Sequence, residues 1–278
     1  MTTITAAAVK ALRDETNVGM MECKKALIES GGDREKAILL LRERGVAIAG
    51  KRAGRAARSG LIAARTAPDG AIGAMIEVNC ETDFVARNER FQQFVESLAA
   101  KAEATDEALA PTVNDEVTTC IAEIGENIVV RRNVRFVRQG PGVVAAYIHL
   151  GSKVGVLIEL GCGKDETAAR PEFTELARDL TLHVAASQPE FLARTDVPAE
   201  VVDRERAIFA KQVENKPAAI VDKIVTGKME KYFAQVTLVE QPFVKDTDRS
   251  VAQVLADTGR AVGDTLEVRR YCRYQLGE

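Results

Sequence analysis

Two histidines, His149 and His183, and five cysteines, Cys23, Cys80, Cys120, Cys162 and Cys272, carry the widest chemical repertoire in this 278-residue sequence. Their spacing gives them little to do together. A structural zinc site needs clustered thiolates or imidazoles, and a disulfide scaffold needs pairs. Five scattered cysteines without a CxxC spacing read instead as free, mostly buried thiols in a reducing compartment. His183 stands in the apolar stretch Leu182-His-Val-Ala-Ala186 and reads as a packed or helix-capping residue rather than a catalyst. No Walker A pattern, GxSxG, HExxH or GxGxxG occurs, so neither a bound nucleotide nor a nucleophile–base pair is expected. A carboxylate pair in a folded cleft is the one catalytic arrangement left open. The expectation is a protein without cofactor, metal or catalytic residues, which acts by binding.

The residues that stand out as a binding device are Glu81-Thr82-Asp83-Phe84-Val85. They follow Ile72–Cys80, a segment that recurs at an offset of 82 as Val154–Cys162, with Gly73 matching Gly155, Ile76 matching Ile158 and Glu77 matching Glu159. After the second copy comes Gly163-Lys164-Asp165-Glu166-Thr167, as polar as a strand-to-helix loop should be. The first copy puts Phe-Val there, beside a turn-forming Thr-Asp pair. Two readings stand: Phe84 folds back beneath its own subdomain, or it is an exposed aromatic anchor for a partner's pocket.

The elements that position this loop follow from periodicity. Thr5 to Glu15, Met20 to Ser30 and a third segment capped by Asp33 and ended by Gly45 read as three short helices, separated by Thr16-Asn17-Val18-Gly19 and Gly31-Gly32. Arg42 to Arg58 holds six basic residues against one acidic and reads as a solvated helix or linker, with a nucleic-acid contact as the sharper alternative. Each repeat copy then reads as two strands and an amphipathic helix, since Phe91, Phe94 and Leu98 align with Phe173, Leu176 and Leu180. The alternation Ile72, Ala74, Ile76, Val78, Cys80 predicts one face on a helix and the other partly wet, as in antiparallel α+β sheets. Ile128 to Val137, with Val130, Val134 and Phe136 on its core face, closes the first copy; Leu266 to Tyr274 closes the second. Between them Pro198 opens a helix with Val201, Val202, Ile208, Phe209 and Val213 along one stripe. Asn215-Lys216-Pro217 breaks it, and Val221, Ile224, Val225, Met229 and Tyr232 form a second stripe. Such a hairpin satisfies its own faces or docks a second molecule.

Hydrophobic residues make up 46% of the chain and aromatics only 5%, so the core must be built from Val, Ile, Leu and Ala. A net charge of −3 and a pI near 5.7 argue against nucleic acid as the main partner. The most apolar region, Gly142 to Gly161, is broken by His149, Lys153 and Glu159 and is too short of apolar residues to span a bilayer. Met1 to Val9 carries no basic leader, and the expected location is the cytoplasm.

Several ordered motifs together resemble the bacterial elongation factor Ts family. They are Val18-Gly-Met-Met-Glu-Cys-Lys-Lys-Ala-Leu27, Glu77-Val-Asn-Cys-Glu-Thr-Asp-Phe-Val85, Ile124-Gly-Glu-Asn-Ile128 with Arg131-Arg132, His183-Val-Ala-Ala-Ser187 with Pro189-Glu-Phe191, and Gln241-Pro-Phe-Val244. The resemblance covers nearly the whole chain. It implies an α+β fold with a ubiquitin-associated-like (UBA-like) three-helix module and basic linker over 1–54. A core N-subdomain over 55–140 follows, then a core C-subdomain over 141–278 with a coiled-coil hairpin inserted at about 198–233. It implies a guanine nucleotide exchange factor for elongation factor Tu, binding it GDP-bound and nucleotide-free, with no direct nucleic acid or membrane partner and with dimerisation through the hairpin left open. By resemblance, Thr82, Asp83, Phe84 and Val85 enter the partner's GTPase domain and help dislodge magnesium, and Met20, Met21, Lys24, His149 and Val244 match further contact positions. Met20 and Val244 also suit a core. Many members continue with another C-terminal helix that touches the partner; here the sequence ends four residues after Tyr274, and the expectation is a contact set without it. Two rival classes remain: an adaptor working through the helical module without exchange activity, and an RNA- or ribosome-associated protein using Arg42 to Arg58.

Overall fold

The computed structural model describes residues 4–16, 18–149, 151–213, 215 and 217–278, so Asn17 and Lys216, named above as helix breakers, lie outside the described residues. Three helices open the chain: α1 (Ala6–Thr16), α2 (Met20–Glu29) and α3 (Arg34–Arg52). Val9 and Leu12 meet Cys23, Ala26 and Leu27, with Ala37 and Leu41 closing a small separate core. Asp33 caps α3 by accepting from the Lys36 N–H at 3.1 Å, as its type predicts.

The first copy of the repeat follows as β1 (Ser59–Thr66), β2 (Ile72–Cys80), a one-turn helix α4 (Asp83–Ala86), α5 (Glu89–Ala104), α6 (Asn114–Ile124) and β3 (Ile128–Val137). The second runs β4 (Gly142–Ile148), β5 (Val154–Cys162), one-turn α7 (Asp165–Ala168) and α8 (Pro171–Ser187). After it come α9 (Ala199–Lys211), α10 (Ala218–Val236), a two-stranded ribbon β6 (Pro242–Phe243) and β7 (Asp246–Ser250), then α11 (Val251–Val262) and β8 (Leu266–Gln275). The two main sheets are antiparallel, in the orders β1-β2-β3 and β4-β5-β8. The fold is therefore α+β with small antiparallel sheets. Ala74, Ile76, Val78 and Cys80 pack on Phe91, Phe94 and Leu98; Val156, Ile158, Leu160 and Cys162 pack on Phe173, Leu176 and Leu180.

Three expectations are corrected. Gly45 does not end the third helix: α3 runs on to Arg52, and Gly45 is buried against Ala122 of α6, so Arg42–Arg52, the larger part of the basic stretch, is helix rather than linker. The second face of the repeat strands is not wet. The two sheets stack on each other through Ile62, Met75, Phe136, Val144, Leu157 and Tyr274. Gly73 and Gly155 mark the closest approach: a Cβ on Gly155 would lie 2.6 Å from Ile62 and from Met75, and one on Gly73 would lie 2.5 Å from Val144. Nor do Val130, Val134 and Phe136 share a face. A β-bulge between Glu77 and Val78 shifts the register with β3, so Val130 joins the helix side while Val134 and Phe136 join the sheet–sheet layer.

That layer holds two fully buried carboxylates. Glu77 receives Arg132 Nε at 2.7 Å and Glu159 receives Arg270 Nε at 2.8 Å. Each arginine crosses to the other copy. Arg132 donates to the Gln275 carbonyl at 3.0 Å and lies over the Tyr274 ring; Arg270 donates to the Val137 carbonyl at 2.7 Å and lies over the Phe136 ring. A buried charge is tolerable only with such full pairing, and here the pairing ties the two copies together. Farther along, α9 and α10 lie against each other, with the Lys228 ammonium over the Phe209 ring. Among the described residues no helix is long and apolar enough to cross a membrane.

Candidate functional site

The turn after β2 is built by its own residues. Thr82 is extended and caps α4, its Oγ1 accepting from the Val85 N–H at 3.4 Å. Ala86 is buried and Val85 packs partly into the helix–sheet core. Residues two apart on a helix point roughly 200° from each other, so seating Ala86 inward turns Phe84 outward. Phe84 is 79% exposed, the highest exposure of any large apolar side chain among the described residues. The outward reading of the two is the one observed. Beside the ring, Asp83 and Arg87 form an exposed ion pair at 2.9 Å.

The turn is pinned from several sides. The buried Cys80 thiol, pushed up to about 12 chiefly by burial, stays protonated and donates to the Thr82 carbonyl at 3.2 Å. Glu126 accepts twice from Thr82, from N–H at 3.0 Å and from Oγ1–H at 2.7 Å. In return Glu81 accepts from the Asn127 N–H at 2.7 Å, and that bond, followed by Arg55, holds its carboxyl below the usual range. Arg52 and Arg55 lie 3.5 and 3.4 Å from the Glu81 carboxylate, and the Asn127 amide donates to the Arg55 carbonyl at 2.8 Å. Sequence reading missed Glu126 and Asn127 as site residues, and with them the bond that Glu81 makes to Asn127. Their family motif was visible, but nothing in a separation of 44 residues between Thr82 and Glu126 points to contact.

The second copy repeats the architecture with different side chains. The Cys162 thiol donates to the Lys164 carbonyl at 3.2 Å, and Asp264 accepts from the Gly163 and Lys164 N–H groups and from Thr167 Oγ1. Asp264 follows Gly263, and Glu126 follows Gly125; both glycines end their helices with φ of 70° and 83°, a conformation that favours glycine. Glu166 holds the place that Phe84 holds in the first copy, and Gly163 that of Glu81.

The remaining expected contacts stand on separate elements. Met20, Met21 and Lys24 are exposed on α2; Met20 is thus not core, whereas Cys23 and Leu27 are. His149 is exposed after β4, its Nδ1 bonded to Tyr147 Oη at 2.9 Å. Val244 is exposed between β6 and β7 rather than buried. Its N–H donates to His183 Nδ1 at 3.2 Å, which makes Nε2 the protonated nitrogen and the donor to Gln241 Oε1 at 2.9 Å. His183 is buried, stacked on Phe243, and its pKa is lowered by burial. It is a packed residue that fixes the Val244 turn. The five cysteines are free thiols, four of them buried. Among the described residues no group of three His, Cys, Asp or Glu side chains is placed to share a metal ion. A cavity of about 640 Å³ opens between α11 and β8, lined by Leu255, Leu266 and Val268 among others, and includes no residue of the Phe84 turn.

Comparison with known proteins agrees along the chain. The family described as Elongation factor TS matches residues 81–278. An elongation factor Ts of Prosthecochloris aestuarii is 45% identical over 293 residues, covering 100% of both proteins. One from a Nitratiruptor species is 43% identical over 287 residues, covering 99% of this chain and 93% of the relative. One from Clostridium perfringens (strain 13 / Type A) is 42% identical over 288 residues, again covering 99% and 93%.

Proposed function

The chain belongs to the elongation factor Ts family, and from that premise we propose that it is a guanine nucleotide exchange factor that docks on elongation factor Tu and speeds GDP release during translation elongation. The observation that carries this reading is Phe84, an apolar ring held 79% exposed on a pinned turn. An exposed aromatic on a rigid support is the form of an interface anchor.

In this reading the turn Thr82–Val85 enters the GTPase domain and displaces magnesium from the nucleotide site. Met20, Met21 and Lys24 on α2, His149 after β4 and Val244 after β6 make the further contacts, each exposed and able to reach a partner. The working units are 1–54, a UBA-like module with its basic stretch, 55–140 with the Phe84 turn, and 141–278 with the inserted hairpin. Both GDP-bound and nucleotide-free elongation factor Tu are bound, in the cytoplasm, and no covalent step is involved. By linkage, docking and magnesium–GDP weaken each other by one common factor, so incoming nucleotide releases the exchange factor in turn. Release is accelerated without a choice between GDP and GTP.

The test is stopped-flow release of fluorescent GDP from elongation factor Tu with and without the chain. A concentration-dependent acceleration is expected. A chain that binds yet leaves the off-rate at its basal value would overturn the exchange reading and leave an adaptor.

A further inference from the structure

We propose that Glu81 and Glu126 are positioning residues: a two-way carboxylate clamp that holds the Phe84 ring outward before the partner arrives. The proposal rests on the exchange reading above and deepens it. Two neighbouring backbone segments exchange carboxylates. Glu126, in the turn between α6 and β3, takes the Thr82 N–H and hydroxyl at 3.0 and 2.7 Å. Glu81, next to Thr82, takes the Asn127 N–H at 2.7 Å. Neither strand end can move without breaking a charge-assisted bond to the other.

The duplicated scaffold singles this clamp out. In the second copy Asp264 makes the first half, accepting from Gly163, Lys164 and Thr167. The second half is absent there, because Gly163 stands where Glu81 does and has no carboxylate to return. A one-way clamp therefore suffices to fold a strand-to-helix turn of this type. The extra arm occurs in the copy that must keep an apolar ring in water, where Glu166 of the other copy needs no restraint. It also reaches further: Arg52 and Arg55, at and just beyond the end of α3, flank the Glu81 carboxylate. The helix packed on α6 is thereby tied to the Phe84 turn. Preorganisation of this kind raises affinity by removing the ordering cost from the docking step.

The test is a double-mutant cycle on stimulated GDP release, measured as kcat/KM for Glu81→Ala, Glu126→Ala and each combined with Phe84→Ala. Each single clamp variant is expected to lower kcat/KM by roughly 10- to 60-fold, from the lower bound for losing a charge-assisted bond up to the loss of the ring itself. In the Phe84→Ala background the same substitutions should cost less than about 2-fold, because their effect passes through the ring. Equal costs in both backgrounds would make the pair general supports of the fold and overturn the proposal, as would single variants that match wild type. Should either alanine variant lose its cooperative melt, Glu81→Gln and Glu126→Asp take its place, the latter mimicking Asp264 of the second copy, and the same comparison decides. A wild-type chain that leaves GDP release at its basal rate sinks the exchange reading and the clamp's role with it. Acceleration that stays at the wild-type level after loss of both carboxylates sinks the clamp alone.

Discussion

Replacing Phe84 by alanine separates docking from folding, because the ring stands largely in water in the free protein. Full burial of a Phe side chain contributes about 1.5–3 kcal/mol. In the free protein the ring is already 79% exposed, so about a fifth of that figure, roughly 0.3–0.6 kcal/mol, is at stake in the fold. The melting temperature should move by less than about 2 °C. The remaining four fifths, roughly 1.2–2.4 kcal/mol, are available only to a partner that covers the ring, which is about 8- to 60-fold in an equilibrium. Stimulated GDP release from elongation factor Tu should therefore slow by a factor in that range without vanishing, since the other exposed contacts remain. The assay is release of fluorescent GDP chased by unlabelled GDP, with thermal unfolding run on the same sample. Glu166→Ala, at the matching place in the second copy, serves as the control and should change neither readout. An unchanged release rate would refute the anchor role. A melting temperature lowered by many degrees would refute the placement of the ring in water.

Two further outcomes follow from the packing. Gly155→Ala puts a methyl 2.6 Å from Ile62 and Met75 where the two sheets meet, and should destabilise the chain by about 1–3 kcal/mol, read as a lower urea midpoint. His183 is buried and neutral, so its folded pKa lies below the ordinary 6.5 and the unfolded chain takes up the proton first as pH falls. Its contribution to stability is complete above about pH 6.5 and declines below it, so the stability gap between wild type and His183→Gln should narrow between pH 7.5 and 5.5. A gap that widens on acidification would contradict the buried, neutral histidine.

Much of the scaffold was legible because its signals are local. The matched alternation of Ala74, Ile76 and Val78 with Val156, Ile158 and Leu160 marks strands with one face on a helix, and the structure builds them so. Asp33 caps its helix because the Lys36 N–H lies three residues away. What escaped depends on partners distant in sequence. Gly45 looks like a helix terminator until α6 is packed against it, and the face holding Gly73, Met75 and Glu77 looks half-polar until the second sheet covers it. The bulge at Glu77 moves Phe136 to the opposite face from Val130, which no strict two-residue period can express. At the candidate site the unusual Phe-Val pair was visible. Its direction was not, because a one-turn helix is too short to declare a buried face until Ala86 is seated.

The duplication also explains where to look for function. Features the copies share, such as the thiol bonded to the loop carbonyl, the acid after a left-handed glycine and the buried glutamate paired with a crossing arginine, must serve what the copies have in common, namely folding and mutual attachment. A binding role confined to one copy has to reside in the differences. At the two turns these include Phe84 against Glu166 and Glu81 against Gly163. The first difference exposes apolar surface, which water disfavours; the second adds a restraint that the fold can do without, since the other copy lacks it. An exposed ring with no partner would be a liability without a compensating gain, and a restraint on it would have nothing to restrain. Together they fit the proposed exchange reading, in which the ring is held ready for a surface that will cover it.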